Sequence, residues 1–367
     1  MEDVLSDDAA ETGSFEPASA ARRRKGARTG AARERVVMAG LVVALVALAA
    51  VSLTVGTYDV SLPEMGRVLW DWLTGSSTAH DKATVVLLTI RAPRILLAAL
   101  VGAALAASGA AYQGMFRNPM VSPDILGVSN GAAVGAALAL LLGLPSLVVH
   151  GLSFVCGLGA VLLVMAVARA VGKGGNTLTV MILAGVVMSS TFSALLSLVK
   201  YVADPDDALP QITYWLMGSF ARSGNDVNVL VLAAILVVGG GALLLMRWRI
   251  NALSFGEEEA RTLGVDVKRT RTVVVLAATL LTSATVCLCG TIGWVGLIIP
   301  HIVRLVVGPN YRALLPVSLL GGACFMLLVD DVARIIVPGE LPVGVLTALI
   351  GAPLFIYMLV KGRKEWL

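Results

Sequence analysis

The sequence predicts an all-α integral membrane protein of about ten transmembrane helices, and three observations carry that expectation. Hydrophobic residues make up 57% of the 367-residue chain and charged residues only 14%, with a mean hydropathy of +0.86, far from the balance of a soluble domain. The apolar residues come in long runs parted by short polar breaks, and a hydrocarbon core about 30 Å thick takes roughly 20 of them per helical crossing. The bases, finally, gather on alternate connecting segments.

Residues 1–35 differ in kind, with acids, Ser, Gly and Ala followed by RRRKGARTGAARER. Such a composition builds no core and reads as a disordered cytoplasmic tail. A basic stretch before an apolar run also suits a secretory signal, but the run at 36–56 is longer than a usual signal core and more runs follow, so it reads as an uncleaved first helix. The membrane domain is therefore 36–367, with spans at 36–56, 92–115, 123–143, 147–170, 178–202, 227–247, 271–290, 293–307, 314–330 and 342–360. With the tail inside, 21 of the 28 Lys and Arg fall on inner segments, which places both termini in the cytoplasm. The outer segments instead collect acids, among them Asp330, Asp331 and Glu340.

The 38 glycines and abundant alanines let helices approach closely. Cys156, Cys287, Cys289 and Cys324 sit in apolar runs and read as small buried residues, neither a disulfide framework nor a metal site. A shift of 181 residues aligns SGAAYQGMFRNP (108–119) with CGTIGWVGLIIP (289–300), setting Gly109 on Gly290, Pro119 on Pro300 and Gly127 on Gly308. Opposite directions of travel make this an inverted repeat of spans two to five and seven to ten, although matches in so glycine-rich a chain also arise by chance.

Between spans six and seven lies SFGEEEARTLGVDVKRTR (254–271), built like a soluble surface helix. Ser254 and Glu257 have capping-box spacing, Glu257 can pair with Arg261, and Gly264 is placed to end a helix of about ten residues. So short a helix needs tertiary support, as a solvated linker or as a docking element for a cytoplasmic partner. The chain has no GxxxxGK[ST] phosphate loop; GKGGNT (172–177) has the wrong spacing. Nor do the spans set ionisable groups near the bilayer centre, where ion-coupled carriers need them, or a convergent polar site for a membrane enzyme. A pump powered from elsewhere is the better reading.

RAPRILLAALVGAALAASGAAYQGMFRNPMVSPDILGVSNGAAVGAALA (91–139), FGEEEARTLGVDVKRTR (255–271), GTIGWVGLIIPHIVRLVVGPNYRALLP (290–316) and ELPVGVLTALIGAPLFIYMLVKGR (340–363) carry a resemblance. In this order they resemble the FecCD/BtuC-type permeases of ABC importers, which serve iron siderophores and vitamin B12. The resemblance spans nearly everything from residue 36 onward and implies a type II ABC importer permease fold in the bacterial cytoplasmic membrane. It further implies a second permease subunit, identical or paralogous, two cytoplasmic ABC ATPase subunits, an extracytoplasmic substrate-binding protein, and alternating access. No cofactor is expected on this chain, ATP and Mg2+ belonging to the ATPases, and no nucleic acid is expected as a partner.

By the same resemblance, the coupling helix lies within 254–266, with Gly256, Glu259, Ala260, Leu263 and Gly264 matching the docking pattern and a further turn extending through Asp266. Arg91, Arg94 and Arg334 resemble outward-facing arginines that meet carboxylates of the binding protein, although such arginines also anchor at membrane interfaces and the aspartates beside Arg334 can hold it internally. Asn118 and Met120 resemble a cytoplasmic gate, its other side supplied by Asn176 and Thr177; where Met120 stands the family commonly has Leu, and Asn118-Pro119 also suits a simple tight turn. His301, Trp215 and Trp294 read as structural. The cargo expected from the resemblance is a ferric siderophore, with cobalamin or haem as the alternative; an ion-coupled secondary transporter is the remaining one.

Overall fold

The computed structural model describes residues 17–362 except 57, 59, 77–80, 173–176, 222–223 and 338. All regular structure among them is helical: α1 (Pro17–Thr54), α2 (Leu62–Thr74), α3 (Lys82–Thr84), α4 (Ala92–Phe116), α5 (Val128–Leu141), α6 (Ser146–Val171), α7 (Thr177–Val202), α8 (Ala208–Leu216), α9 (Asp226–Phe255), α10 (Glu257–Thr262), α11 (Val267–Cys289), α12 (Val295–Val307), α13 (Tyr311–Ile336) and α14 (Val343–Gly362). Eight helices are long and apolar enough to cross a membrane, and the shorter apolar α5 and α12 complete the ten expected spans. The long helix of span two starts ten residues before the expected 92, because α3 passes through a π-helical stretch, Val85–Arg91, straight into α4.

Helix α1 starts at Pro17, ahead of the first expected span at 36, with no proline between Pro17 and Thr54. Only Ala32–Thr54 is apolar enough to span.

Five crossings separate the start of span two from that of span seven, so the second set of helices runs opposite to the first. The repeat is real in order and length but not in the register read from sequence: Val295 follows Val128 by 167 residues, Tyr311 follows Ser146 by 165, and Val343 follows Thr177 by 166. The 181-residue shift instead sets the last two turns of α4 against the break after α11. Its glycine matches misled because glycines line several unrelated helix contacts. In the structural register Trp294 (φ 71°) occupies the place of Gly127 (φ 81°), each being the left-handed residue before a short helix. Gly185 touches Ile125 and Leu126, and its counterpart Gly351 touches Trp294. Helices α5 and α12 extend only about 20 Å, less than the hydrocarbon thickness, and each follows a break at an opposite end of the bundle, a short 3-10 turn (Pro123–Leu126) before α5 and a non-helical segment before α12. Discontinuous helices at the two-fold of an inverted repeat are the transporter solution to irregular backbone at membrane depth.

Backbone contacts hold the centre. A Cβ on Gly102 would lie 2.1 Å from the Gly322 carbonyl oxygen, and one on Gly322 would lie 2.2 Å from that of Gly102, so α4 and α13 meet main chain to main chain. Gly109 meets Gly296 of α12 in the same way. A buried polar seam adds direction: Ser108 Oγ donates to the Ala278 carbonyl at 3.0 Å, and Gln113 Nε2 to that of Leu297 at 2.9 Å. Lipid offers little drive for helix association, so close packing and such bonds supply it. Gly102→Ala is therefore expected to cost about 1–3 kcal/mol or force the helices apart, lowering the thermal unfolding midpoint of the detergent-purified protein. Gly159→Ala, where no atom lies within 4 Å of the added Cβ, should leave it unchanged.

Candidate functional site: a surface helix at one end and a buried ion cluster at the other

At one end of the bundle α9 stops at Gly256, turns into α10, and α10 hands over to α11. Gly256 has φ 138°, and a Cβ there would stand 2.0 Å from Glu259 Oε2, so only glycine lets the Glu259 side chain fold back over the turn. Ala260 is fully buried against Ala252, Leu253, Val265 and Val267, while Phe255 and Leu263 are exposed on the rim around it. Gly264, at φ 77°, closes the helix with its N–H on the Arg261 carbonyl at 2.9 Å.

Three details correct the expected helix. Ser254 is no cap, since it lies within α9 and its hydroxyl donates to the Asn251 carbonyl at 2.7 Å; Gly256 is the N-cap. The helix is six residues rather than about ten, and no turn extends through Asp266, whose side chain caps α11 by accepting from the Arg269 N–H at 2.9 Å. Glu257 pairs with Arg261 at 3.5 Å as expected, but also forms an ion pair with buried Arg271. The exposed pair contributes little, whereas the Arg271 pair pins α10 to α11. It joins residues 14 apart across a turn, so no helical spacing in the sequence announces it.

A clamp beside α10 was likewise invisible in the sequence. Asn251 Nδ2 donates to Asn310 Oδ1 at 2.8 Å, and Asn251 Oδ1 accepts from the Tyr311 N–H at 2.8 Å, fixing the end of α9 to the start of α13. Tyr311 accepts from Arg304 Nη2 at 2.8 Å, and the ring lies against Gly114 near the end of α4. There Arg117 adopts φ 53°, and Asn118 Oδ1 accepts from the Met120 N–H at 2.9 Å, with Met120 left 45% exposed. Thr177 begins α7 with its hydroxyl 3.5 Å from the Gly172 carbonyl, and Asn176 lies outside the described residues.

At the opposite end the three arginines read as outward-facing are buried, each 5–7% exposed. Arg94 meets Asp330 at 2.8 Å and Glu340 at 2.7 Å; Arg334 lies 3.2 Å from Asp330, pairs with Asp331, and donates to the Val55 carbonyl at 2.8 Å. Ser52 adds a hydroxyl to Asp331 at 2.7 Å, and Arg91 donates to the carbonyls of Leu53 and Tyr58, both at 2.6 Å. The aspartates beside Arg334 hold it internally, the alternative the sequence left open, and Arg91 and Arg94 are likewise bonded within the chain. A buried guanidinium is tolerable only with its donors satisfied, and the outer acids of DDVAR and GELP supply the acceptors. The cluster stitches α1, α4 and α13 to the α13–α14 loop, with three acids against three arginines.

A ten-helix inverted-repeat bundle with discontinuous helices and a small polar helix between the sixth and seventh crossings defines a multi-pass membrane permease. Residues 38–361 match the FecCD transport family, and the chain belongs to it. That family consists of ABC transporter permease subunits, which carry no ATPase site of their own and imply ATPase, binding-protein and permease partners. The chain is 44% identical over 332 residues to the cobalamin import system permease protein of Halobacterium salinarum, covering 88% of each chain. It is 42% identical over 332 residues to the molybdate import system permease protein of Haemophilus influenzae, covering 89% of this chain and 96% of that one. Among solved structures, a metal-chelate type ABC transporter in an inward-facing conformation superposes with a TM-score of 0.78 at 40% identity, covering 89% of this chain and 99% of the other.

Removing the shared acid should expose how the ion cluster is held. Asp330→Ala leaves Arg94 and Arg334 short of their common partner and is expected to cost about 3–5 kcal/mol, read as a lowered unfolding midpoint. Glu340→Gln, at the half-exposed edge, should cost distinctly less.

Proposed function

We propose that the chain is one of two permease subunits of an ATP-driven importer for a ferric siderophore. The observation that carries the coupling is α10: a short helix with a buried alanine, an exposed apolar rim at Phe255 and Leu263, and ties to α9, α11 and α13. A cytoplasmic ATPase seats on that rim and holds ATP and Mg2+; Gly256, Glu259, Ala260, Leu263 and Gly264 form the docking surface. Closure of the ATPases moves α10, and the Glu257–Arg271 pair and the Asn251–Asn310–Tyr311 clamp pass the displacement to α11 and α13. The ring of Tyr311 bears on Gly114, one turn from Asn118 and Met120, so the same displacement reaches the gate those residues form with Asn176 and Thr177. Both termini are cytoplasmic, as the distribution of bases supports.

At the far end the substrate-binding protein docks over the ion cluster. Its carboxylates reach Arg94 by replacing Glu340, the most exposed acid of the cluster, while Arg91 and Arg334 keep their internal partners. Exchange of one carboxylate for another preserves the pairing of a buried guanidinium, so docking need not strand a charge.

For the cargo, the probable iron chelatin transport system permease protein of Helicobacter pylori, 37% identical over 327 residues, supports a siderophore. Cobalamin is the second reading, favoured by the archaeal relative, and haem a third, by the hemin transport permease of Yersinia pestis at 36% identity. Uptake of labelled ferric siderophores, with cobalamin, haem and molybdate alongside, tests the assignment in cells with and without the chain. Loss of siderophore uptake alone is the expected outcome; loss of another cargo instead would overturn the siderophore while keeping the importer. Leu263→Asp and Gly264→Trp should abolish uptake with the permease still inserted, and unimpaired uptake in both would overturn the docking role of α10.

A further inference from the structure

Helix α2 takes no part in the function described above, and its construction is unusual for a connector. It is capped at both ends: Ser61 and Glu64 form a reciprocal capping box, which holds the Glu64 carboxyl below the usual carboxylate range, and Gly75 closes the C-terminus in the left-handed conformation. At 13 residues it is about 20 Å long, too short to cross a bilayer. One flank is buried in the chain, where Val68 (1% exposed) packs with Ala83 and Leu87 and with Leu53 of the last turns of α1. A second flank carries the charges, with Arg67 paired to Asp81 at 2.8 Å. On the remaining flank Leu62, Gly66, Trp70 and Leu73 follow one another at helical spacing, and Leu62, Trp70 and Leu73 are 67–72% exposed, with Trp72 exposed beside them.

We infer that this flank is immersed in the headgroup–acyl boundary of the leaflet opposite the coupling helix, making α2 an in-plane anchor that sets the depth of α1 and of the helix running from α3 into α4. Its level is given by what it packs on, the end of α1 and the start of the Lys82–Phe116 helix, where the chain leaves and re-enters the membrane. Val42, Val43, Val46 and Val51 of α1, whose last turns α2 packs on, are exposed as well. Tryptophan beside charge is the chemistry of that boundary, and a helix with such a face lies about 5–10 Å into it. The anchor is wired to the fold, because Arg91 grips the carbonyls of Leu53 and Tyr58 on either side of Gly56, and a Cβ on Gly56 would stand 2.7 Å from Arg91 Nη2.

The test uses the full chain in bilayers of brominated phosphatidylcholine, bromine sitting either near the headgroup or near the acyl terminus. The fluorescence attributable to α2 is the difference between the wild type and Trp70→Phe/Trp72→Phe; Trp70→Phe and Trp72→Phe taken singly serve if the pair does not insert. That difference should lose most of its intensity with shallow bromine, much less with deep bromine, and little with aqueous iodide. Emission quenched by iodide and not by bromine would overturn the inference in favour of a water-facing helix. Emission shielded from both would overturn it in favour of a protein partner covering the flank.

Discussion

The main-chain contact of α4 with α13 is the constraint on which the rest of this molecule depends. Gly102 and Gly322 each leave the space the other's carbonyl occupies, so the two helices approach closely at mid-height. In water such a contact would matter less, because burying larger side chains would repay a wider spacing. In lipid the surrounding medium is as apolar as the side chains, and what remains is close packing together with polar bonds between helices. Bulky residues at this crossing would separate the pair on which the polar groups at both ends rely.

Those two ends use the pair differently. At one, Asp330 of α13 serves Arg94 of α4 and lies against Arg334 of its own helix, and Glu340, Asp331 and the carbonyls of Leu53, Val55 and Tyr58 supply further acceptors to the arginines. The charges balance, and every side chain but the half-exposed Glu340 is buried, so the cluster behaves as a rigid rim. At the other, Tyr311 begins α13 against Gly114 of α4 and is held by Asn251 of α9. The clamp on Tyr311 is made of neutral amides and a hydroxyl apart from Arg304, while the small α10 is tied to α11 by the Glu257–Arg271 ion pair.

The repeat sets the geometry of the two helix breaks. Two short helices, each entered through a left-handed residue, begin at opposite ends of the bundle, and each break is touched by a glycine of α7 or α14. Trp294 shows what the symmetry costs when the sequence is not symmetric. A non-glycine residue holds the left-handed conformation there, with its ring over Gly351 and edge-on to Phe355 at 6.1 Å.

Hydropathy alone determined the membrane class, the ten apolar helices and their order, because the hydrocarbon thickness imposes a length that any apolar run must meet. The charge run at 257–261 likewise marked a surface helix, and Gly264 its C-terminal end, since left-handed backbone favours glycine. Tertiary structure alone decided the rest. The repeat register depends on helix starts rather than on matching letters, and the ends of α10 depend on which of Ser254 and Gly256 leaves the helical conformation of α9. Arg91, Arg94 and Arg334 read as outward-facing because position along the chain reports the level of a residue in the membrane, not the direction of its side chain. Asp330 and Glu340 come to Arg94 from 236 and 246 residues away, and the carbonyls of Ser52 and Val55 to Arg334 from 282 and 279, so only the folded bundle brings those partners together.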